Sequence, residues 1–191
     1  MARPRTFDPD DVLNIALNVF WRKGFRGTSL DDITAETGLA KPSLYAAFGD
    51  KNALFLKVLD RYHDGIAVRA EKMLARGPSA RDAISDWLES FIPYCSGSKG
   101  TRGCLSINTA TDGALDHAEL VESIDRYNAR LLHLVHRRLK ADRQQFSDGF
   151  DPKAAAYTVM VIYSGIMTMG RQQPSAAQVR SAIRSALSCL A

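Results

Sequence analysis

Residues 28 to 48 read Thr28-Ser29-Leu30-Asp31-Asp32-Ile33-Thr34-Ala35-Glu36-Thr37-Gly38-Leu39-Ala40-Lys41-Pro42-Ser43-Leu44-Tyr45-Ala46-Ala47-Phe48. Thr28 or Ser29 can cap a short helix whose Leu30 and Ile33 point inward, and Gly38 marks its end. After the tight Gly38-Leu39-Ala40 connection, Pro42 is placed to open a second short helix, with Leu44 and Phe48 on one face. Before this pair, Asp8, Pro9 and Asp11 form a helix start. Val12, Ile15, Ala16, Val19 and Phe20 then recur at the spacing of a helix burying one side, and Gly24 is the expected end. After it, Asp50 caps a long helix with Leu54, Phe55, Val58, Leu59, Tyr62 and Ile66 along its stripe, running to Gly77-Pro78.

Further along, Ser79 starts a helix carrying Ile84, Trp87, Leu88, Phe91 and Ile92, which Pro93 should kink or end. Ser96 to Gly103 reads as a loop, followed by an apolar piece at Leu105 to Thr111 and a periodic helix carrying Val121, Ile124, Tyr127, Leu131, Val135 and Leu139. Asp151-Pro152 opens an apolar helix through Met169, and Ser175 caps the last one. No segment alternates with period two, so the sequence predicts an all-α fold of about nine helices.

Composition narrows the class without deciding it. Twenty-five bases against 21 acids leave a net charge of +4, compatible with a polyanionic partner but too small to name one. Cys95, Cys104 and Cys189 are an odd set without Cys-x-x-Cys spacing, which argues against a disulfide framework or a zinc cluster. Together with a start that has no secretory apolar core, this predicts a cytoplasmic protein. Ala154 to Met169 falls short of the ~20 residues that cross a bilayer. His133 and His136 lie one turn apart but lack a third ligand, so no metal is expected. Gly97-Ser98-Lys99-Gly100 lacks the order of a phosphate loop, and no catalytic or cofactor motif appears. The reading is therefore of a non-enzyme with no cofactor.

Two short helices joined by a glycine turn and braced by a longer one form the arrangement of a helix-turn-helix DNA reader. Its second helix must be apolar inward yet small and polar outward, because the outer side enters a groove about 12 Å wide. Pro42 to Phe48 satisfies this: Lys41, Pro42, Ser43 and Ala46 are free to meet base edges, and Tyr45 adds a hydroxyl. Lys51 offers charge, and Thr28 and Ser29 place hydroxyls at a helix start where phosphate oxygens bind. Arg3 and Arg5, ahead of the first helix, could lie against phosphate or enter the minor groove.

Ala16, Phe20, Gly24-Phe25, Thr28-Ser29, Ile33, Thr37 through Tyr45, Phe48, Lys51 and Leu54-Phe55 together closely resemble the amino-terminal module of the TetR/AcrR family of transcriptional regulators. The resemblance covers roughly the first third of the chain. It implies a DNA-binding domain at 1–52 and a helical effector-binding and dimerisation domain at 53–191. It further implies a homodimer over a pseudopalindromic operator, usually a repressor, released when a small-molecule effector displaces the long fourth helix.

The last two helices are the expected dimer contact, with Gly165 and Gly170 permitting close approach. Trp87, Phe91, Tyr94, Ile107, Thr111, Tyr127, Met160, Tyr163 and Met167 are expected to line the effector cavity. Arg102-Gly103-Cys104-Leu105 resembles a stretch in one subgroup of the family, some of whose members sense electrophiles or oxidants. Cys104 is thus a candidate redox residue, against the alternative of a small buried hydrophobe. The rival class is a helical-bundle carrier or enzyme, which salt separates from a DNA reader, because phosphate contacts weaken steeply with ionic strength.

Overall fold

The computed structural model describes residues 7–96, 102–112 and 116–190, and every regular segment among them is helical. In chain order these are α1 (Pro9–Gly27), α2 (Leu30–Thr37), α3 (Lys41–Phe48), α4 (Lys51–Leu74), α5 (Ala80–Glu89), α6 (Ile92–Cys95), α7 (Leu105–Thr111), α8 (Ala118–Ala141), α9 (Pro152–Met169) and α10 (Ala176–Ser188). The chain divides into two compact units. One comprises residues up to His63 together with Asn108–Ser123; the other comprises Asp64–Ile107 and the chain from Ile124 onward. The cuts fall inside α4, α7 and α8 rather than after residue 52, because residues 108–123 pack with the amino-terminal helices.

In the first unit the caps act where the sequence places them. Asp8 accepts the Asp10 N–H at 2.8 Å with Pro9 in the first turn. Ser29 and Asp32 form a reciprocal capping box on α2, and Gly38 closes that helix in the left-handed region at φ 70°. Gly24 does not end α1, as the sequence suggested: it adopts φ 77° and kinks the helix, which resumes through Gly27. Phe25 can then turn inward, its ring centroid 4.9 Å from that of Phe55, beside the Phe20–Phe55 pair at 4.6 Å. Val12, Ala16, Val19, Ile33, Leu44, Leu54 and Val58 complete this core. Ser123 closes it on the α8 side, donating its hydroxyl to Asp60 at 2.6 Å with His63 Nδ1 at 3.2 Å.

The second unit buries Ile84, Trp87, Leu88, Phe91, Leu131, Val135, Leu139, Val159, Tyr163, Ile183 and Leu187. The break expected at Pro93 falls earlier, at Ser90 and Phe91, and Pro93 sits in the first turn of the short α6, where its missing N–H costs nothing. Gly170 does allow a close approach, but within one chain: a Cβ there would lie 3.0 Å from Cys95. Gly165 faces open space. No described helix is long and apolar enough to cross a membrane.

Candidate functional site

The face built by α2 and α3 is held from beneath and open above. Leu44 and Phe48 are buried, whereas Lys41, Pro42, Ser43, Tyr45 and Ala46 are exposed, Tyr45 by 51%. Ion pairs fix the two helices to their neighbours. Arg22 reaches Glu36 at 2.7 Å, Lys23 reaches Asp32 at 2.6 Å, and Lys41 reaches Asp31 at 2.6 Å. The Lys23 hydrogen bond, aided by the Ser29 backbone and hydroxyl, holds the Asp32 carboxyl down to about 2. The bond to Asp31 raises Lys41, whose ammonium stays charged. α3 therefore presents an aliphatic ring, two hydroxyls and one cation on a rigid support, groups suited to hydrogen bonding at base edges and phosphates.

Two expected phosphate contacts have other partners. Thr28 is 2% exposed and donates its hydroxyl to the Gly24 carbonyl at 2.7 Å, because the kinked end of α1 leaves that oxygen without a helical donor. Lys51 donates to the Phe25 and Thr28 carbonyls at 2.9 and 3.0 Å, with its ammonium 4.5 Å from the Phe25 ring centroid. It acts as a cap for the C-terminal end of α1. Ser29 is exposed, and its oxygen serves the α2 capping box. Arg3 and Arg5 lie outside the described residues.

Residues that sequence reasoning missed come from the α7–α8 segment. Asp112 accepts the Arg26 N–H at 3.2 Å, Asp116 pairs with the Arg26 guanidinium at 3.1 Å, and His117 meets Asn52 at 3.3 Å and the Phe25 ring edge-on. A Cβ on Gly24 would lie 2.6 Å from the Asp112 carboxylate. The one available sequence signal was Gly24 itself, which marks a backbone needing positive φ or a close neighbour.

In the second unit, Trp87, Phe91, Tyr127, Tyr163 and Met167 are all buried together with Cys95 and Cys104. Tyr163 stacks on Trp87 at 5.4 Å and lies 5.0 Å from Phe91. The Tyr127 and Tyr163 hydroxyls are 3.0 Å apart, and the Tyr163 hydroxyl donates to the Cys104 sulfur at 3.6 Å. Burial, with Cys104 nearby, pushes the Cys95 thiol up to about 11 and the Tyr127 hydroxyl well above its ordinary value. Tyr94 and Ile107 are half-buried. Thr111 does not join this cluster: it is exposed at the end of α7 and belongs to the first unit. Met160 also lies elsewhere, in an open groove of about 860 Å³ between α8 and α9 lined by Asp125, Leu132, Tyr157 and Val161. Among the described residues no group of His, Cys, Asp or Glu could hold a metal ion.

The model of the bacterial regulatory proteins of the tetR family matches residues 12–58, the part built into α1 to α4. The Bacillus subtilis HTH-type transcriptional regulator YezE is 30% identical over 157 residues, 82% of this chain and 81% of that one. The chain belongs to the TetR family. It is a helix-turn-helix transcriptional regulator, and its relatives are regulators rather than enzymes. The Escherichia coli HTH-type transcriptional repressor ComR is 37% identical over 130 residues, although the match spans only 61% of ComR and 67% of this chain. Among solved structures, a cysteine mutant of the TetR family regulator CifR, complexed with 26-base-pair operator DNA, matches at a TM-score of 0.88 and 26% identity. That match covers 99% of this chain and 100% of that one.

Proposed function

We propose that this TetR-family regulator is a cytoplasmic repressor that binds a pseudopalindromic operator as a homodimer and is released by a small molecule. The observation that carries the reading is α3, anchored by buried Leu44 and Phe48 while Lys41, Pro42, Ser43, Tyr45 and Ala46 face solvent. A packed corner with no external partner has no need to keep these five outward positions small or hydrogen-bonding. The ComR and CifR comparisons support the same reading, since one is named a repressor and the other was solved on operator DNA. A dimer would present two such faces to half-sites about 34–36 Å apart or a multiple of that. In support of the dimer, α9 carries Tyr157, Val161 and Met169 exposed by 54, 71 and 55%.

Selection of bound fragments from random duplex DNA tests this directly. A palindromic consensus, bound with an affinity that falls steeply as salt rises, is expected. Recovery of no palindromic consensus would overturn the pseudopalindromic operator and the paired readers. The alternative signal is oxidation or alkylation at Cys104, favoured by the Tyr163 hydroxyl bonded to its sulfur and opposed by an exposure of only 1%. Replacing Cys104 with Ser and finding oxidant-driven release unchanged removes that alternative.

A further inference from the structure

The indole N–H of Trp87 is buried and meets no acceptor among the described residues. Trp87 itself has no exposed surface, and its ring is packed against Phe91 and Tyr163. A buried donor with no partner is a standing penalty on the folded state, which a phenylalanine at the same place would not incur. Such an orphan is explained when another molecule supplies the missing acceptor. The groups around it define that molecule. Trp87, Phe91 and Tyr163 offer aromatic surfaces to an apolar body. No described buried residue of the second unit carries a charged side chain, so an ionic ligand would lose its hydration without gaining a counter-charge. Met167, one helical turn beyond Tyr163 on α9 and with its sulfur 3.8 Å from that of Cys95, is a buried unbranched side chain that can change rotamer to admit a ligand.

We propose that the cluster of Trp87, Phe91, Tyr127, Tyr163 and Met167 takes an uncharged, largely apolar molecule bearing a hydrogen-bond acceptor oxygen, which accepts the Trp87 indole N–H. The inference rests on the reading of the chain as a ligand-released regulator and specifies the chemistry of that ligand. A charged inducer, cationic or anionic, is excluded from this site. The Tyr127 hydroxyl, 3.0 Å from that of Tyr163, stays protonated, because burial holds it well above its ordinary value.

The test uses acetophenone and its planar isostere α-methylstyrene, in which a methylene replaces the carbonyl oxygen, with benzoate as the anionic counterpart. The full chain is labelled with nitrogen-15, and the indole signals of Trp21 and Trp87 are followed during each titration. Acetophenone is expected to move the Trp87 indole proton downfield and to bind about tenfold or more tightly than α-methylstyrene, with benzoate leaving the signal unmoved. Trp87→Phe should bring the two neutral probes within about twofold of each other while leaving α-methylstyrene binding unchanged. Equal binding of the neutral pair to the wild type, tighter binding of benzoate, or an unmoved Trp87 signal overturns the proposal without relying on the variant. Operator release is measured in parallel with a broad library of small molecules. A compound that releases DNA without touching the Trp87 signal would sink this site and preserve ligand control. Acetophenone binding at Trp87 while no compound releases DNA would do the reverse.

Discussion

Lys51 occupies a position where charge ahead of the long helix suggests a phosphate contact, yet its ammonium donates to the carbonyls of Phe25 and Thr28. Hydrogen bonds from a charged donor contribute about 1.5–3 kcal/mol where they are sheltered from water, and this one is half-buried. Lys51→Ala is therefore expected to lower unfolding stability by about 1–3 kcal/mol in urea titration. A variant of unchanged stability whose salt slope on DNA falls by about one would restore the phosphate role. Asp32 is held both by Ser29, in the capping box of its own helix, and by Lys23 of α1 at 2.6 Å. Its folded carboxyl titrates at about 2 against an ordinary 3.8. A depressed carboxyl contributes stability that is fully present above the ordinary value and is lost as pH falls through the folded one. The melting-temperature gap between wild type and Asp32→Asn should therefore be constant above pH about 5 and close as pH falls toward about 2. A gap that persists at the acid end would show that the capping hydrogen bonds, and not the charge, carry the effect.

Helices announce themselves through local chemistry, and here caps and periodicity sufficed. Asp8, Ser29, Gly38, Asp151 and Ser175 each bound a helix at the expected place. Where the expectation slipped, a distant element had intervened. Gly24 looked like a stop, but α1 continues past it because Phe25 is wanted in the core and Asp112 binds the backbone just beyond the kink. Gly24 and Asp112 are far apart along the chain, and nothing at Asp112 in the sequence declares the contact. Thr111 was misplaced for the same reason: periodicity puts a residue on a face and says nothing about which unit receives that face. The Gly24–Asp112 approach makes a measurable pair. Gly24→Ala must bear a strained positive φ, about 1–2 kcal/mol, and must also push the Asp112 carboxylate off the Arg26 N–H. Once the added methyl group has displaced that carboxylate, Asp112→Ala should cost less than it does in the wild type. Denaturant midpoints for the four proteins of the cycle should show a coupling of at least about 0.5 kcal/mol. Additive losses would mean that Asp112 does not hold the kink.

For the whole molecule, the apolar run from Ala154 to Met169 is, with the last helix, the expected dimer contact, but its periodicity does not tell which of its sides stays bare. α9 buries Ala155, Ala156, Val159, Tyr163, Ile166 and Met167 and leaves Tyr157, Val161 and Met169 to solvent. Exposed apolar residues are ordinary when scattered, whereas three on one helix beside an open groove of about 860 Å³ are where the proposed dimer would close. If that partner is a second copy, the operator is gripped by two readers, and the second contact is made at a high effective concentration. Val161→Asp places a charge in the middle of this face at a position 71% exposed. Within one chain it should cost no more than about 0.5 kcal/mol, since it disturbs no core contact. Between copies it would bury an unpaired carboxylate, so sedimentation equilibrium should find a folded monomer where the wild type is a dimer. Operator affinity should then fall by about 100-fold or more, because each monomer holds a single half-site. Gln144→Asp, an exposed change away from α9, should leave both association and affinity unaltered. A Val161→Asp protein that still sediments as a dimer would place the contact elsewhere, whereas a monomer with undiminished operator affinity would separate the reader from any need of a twin.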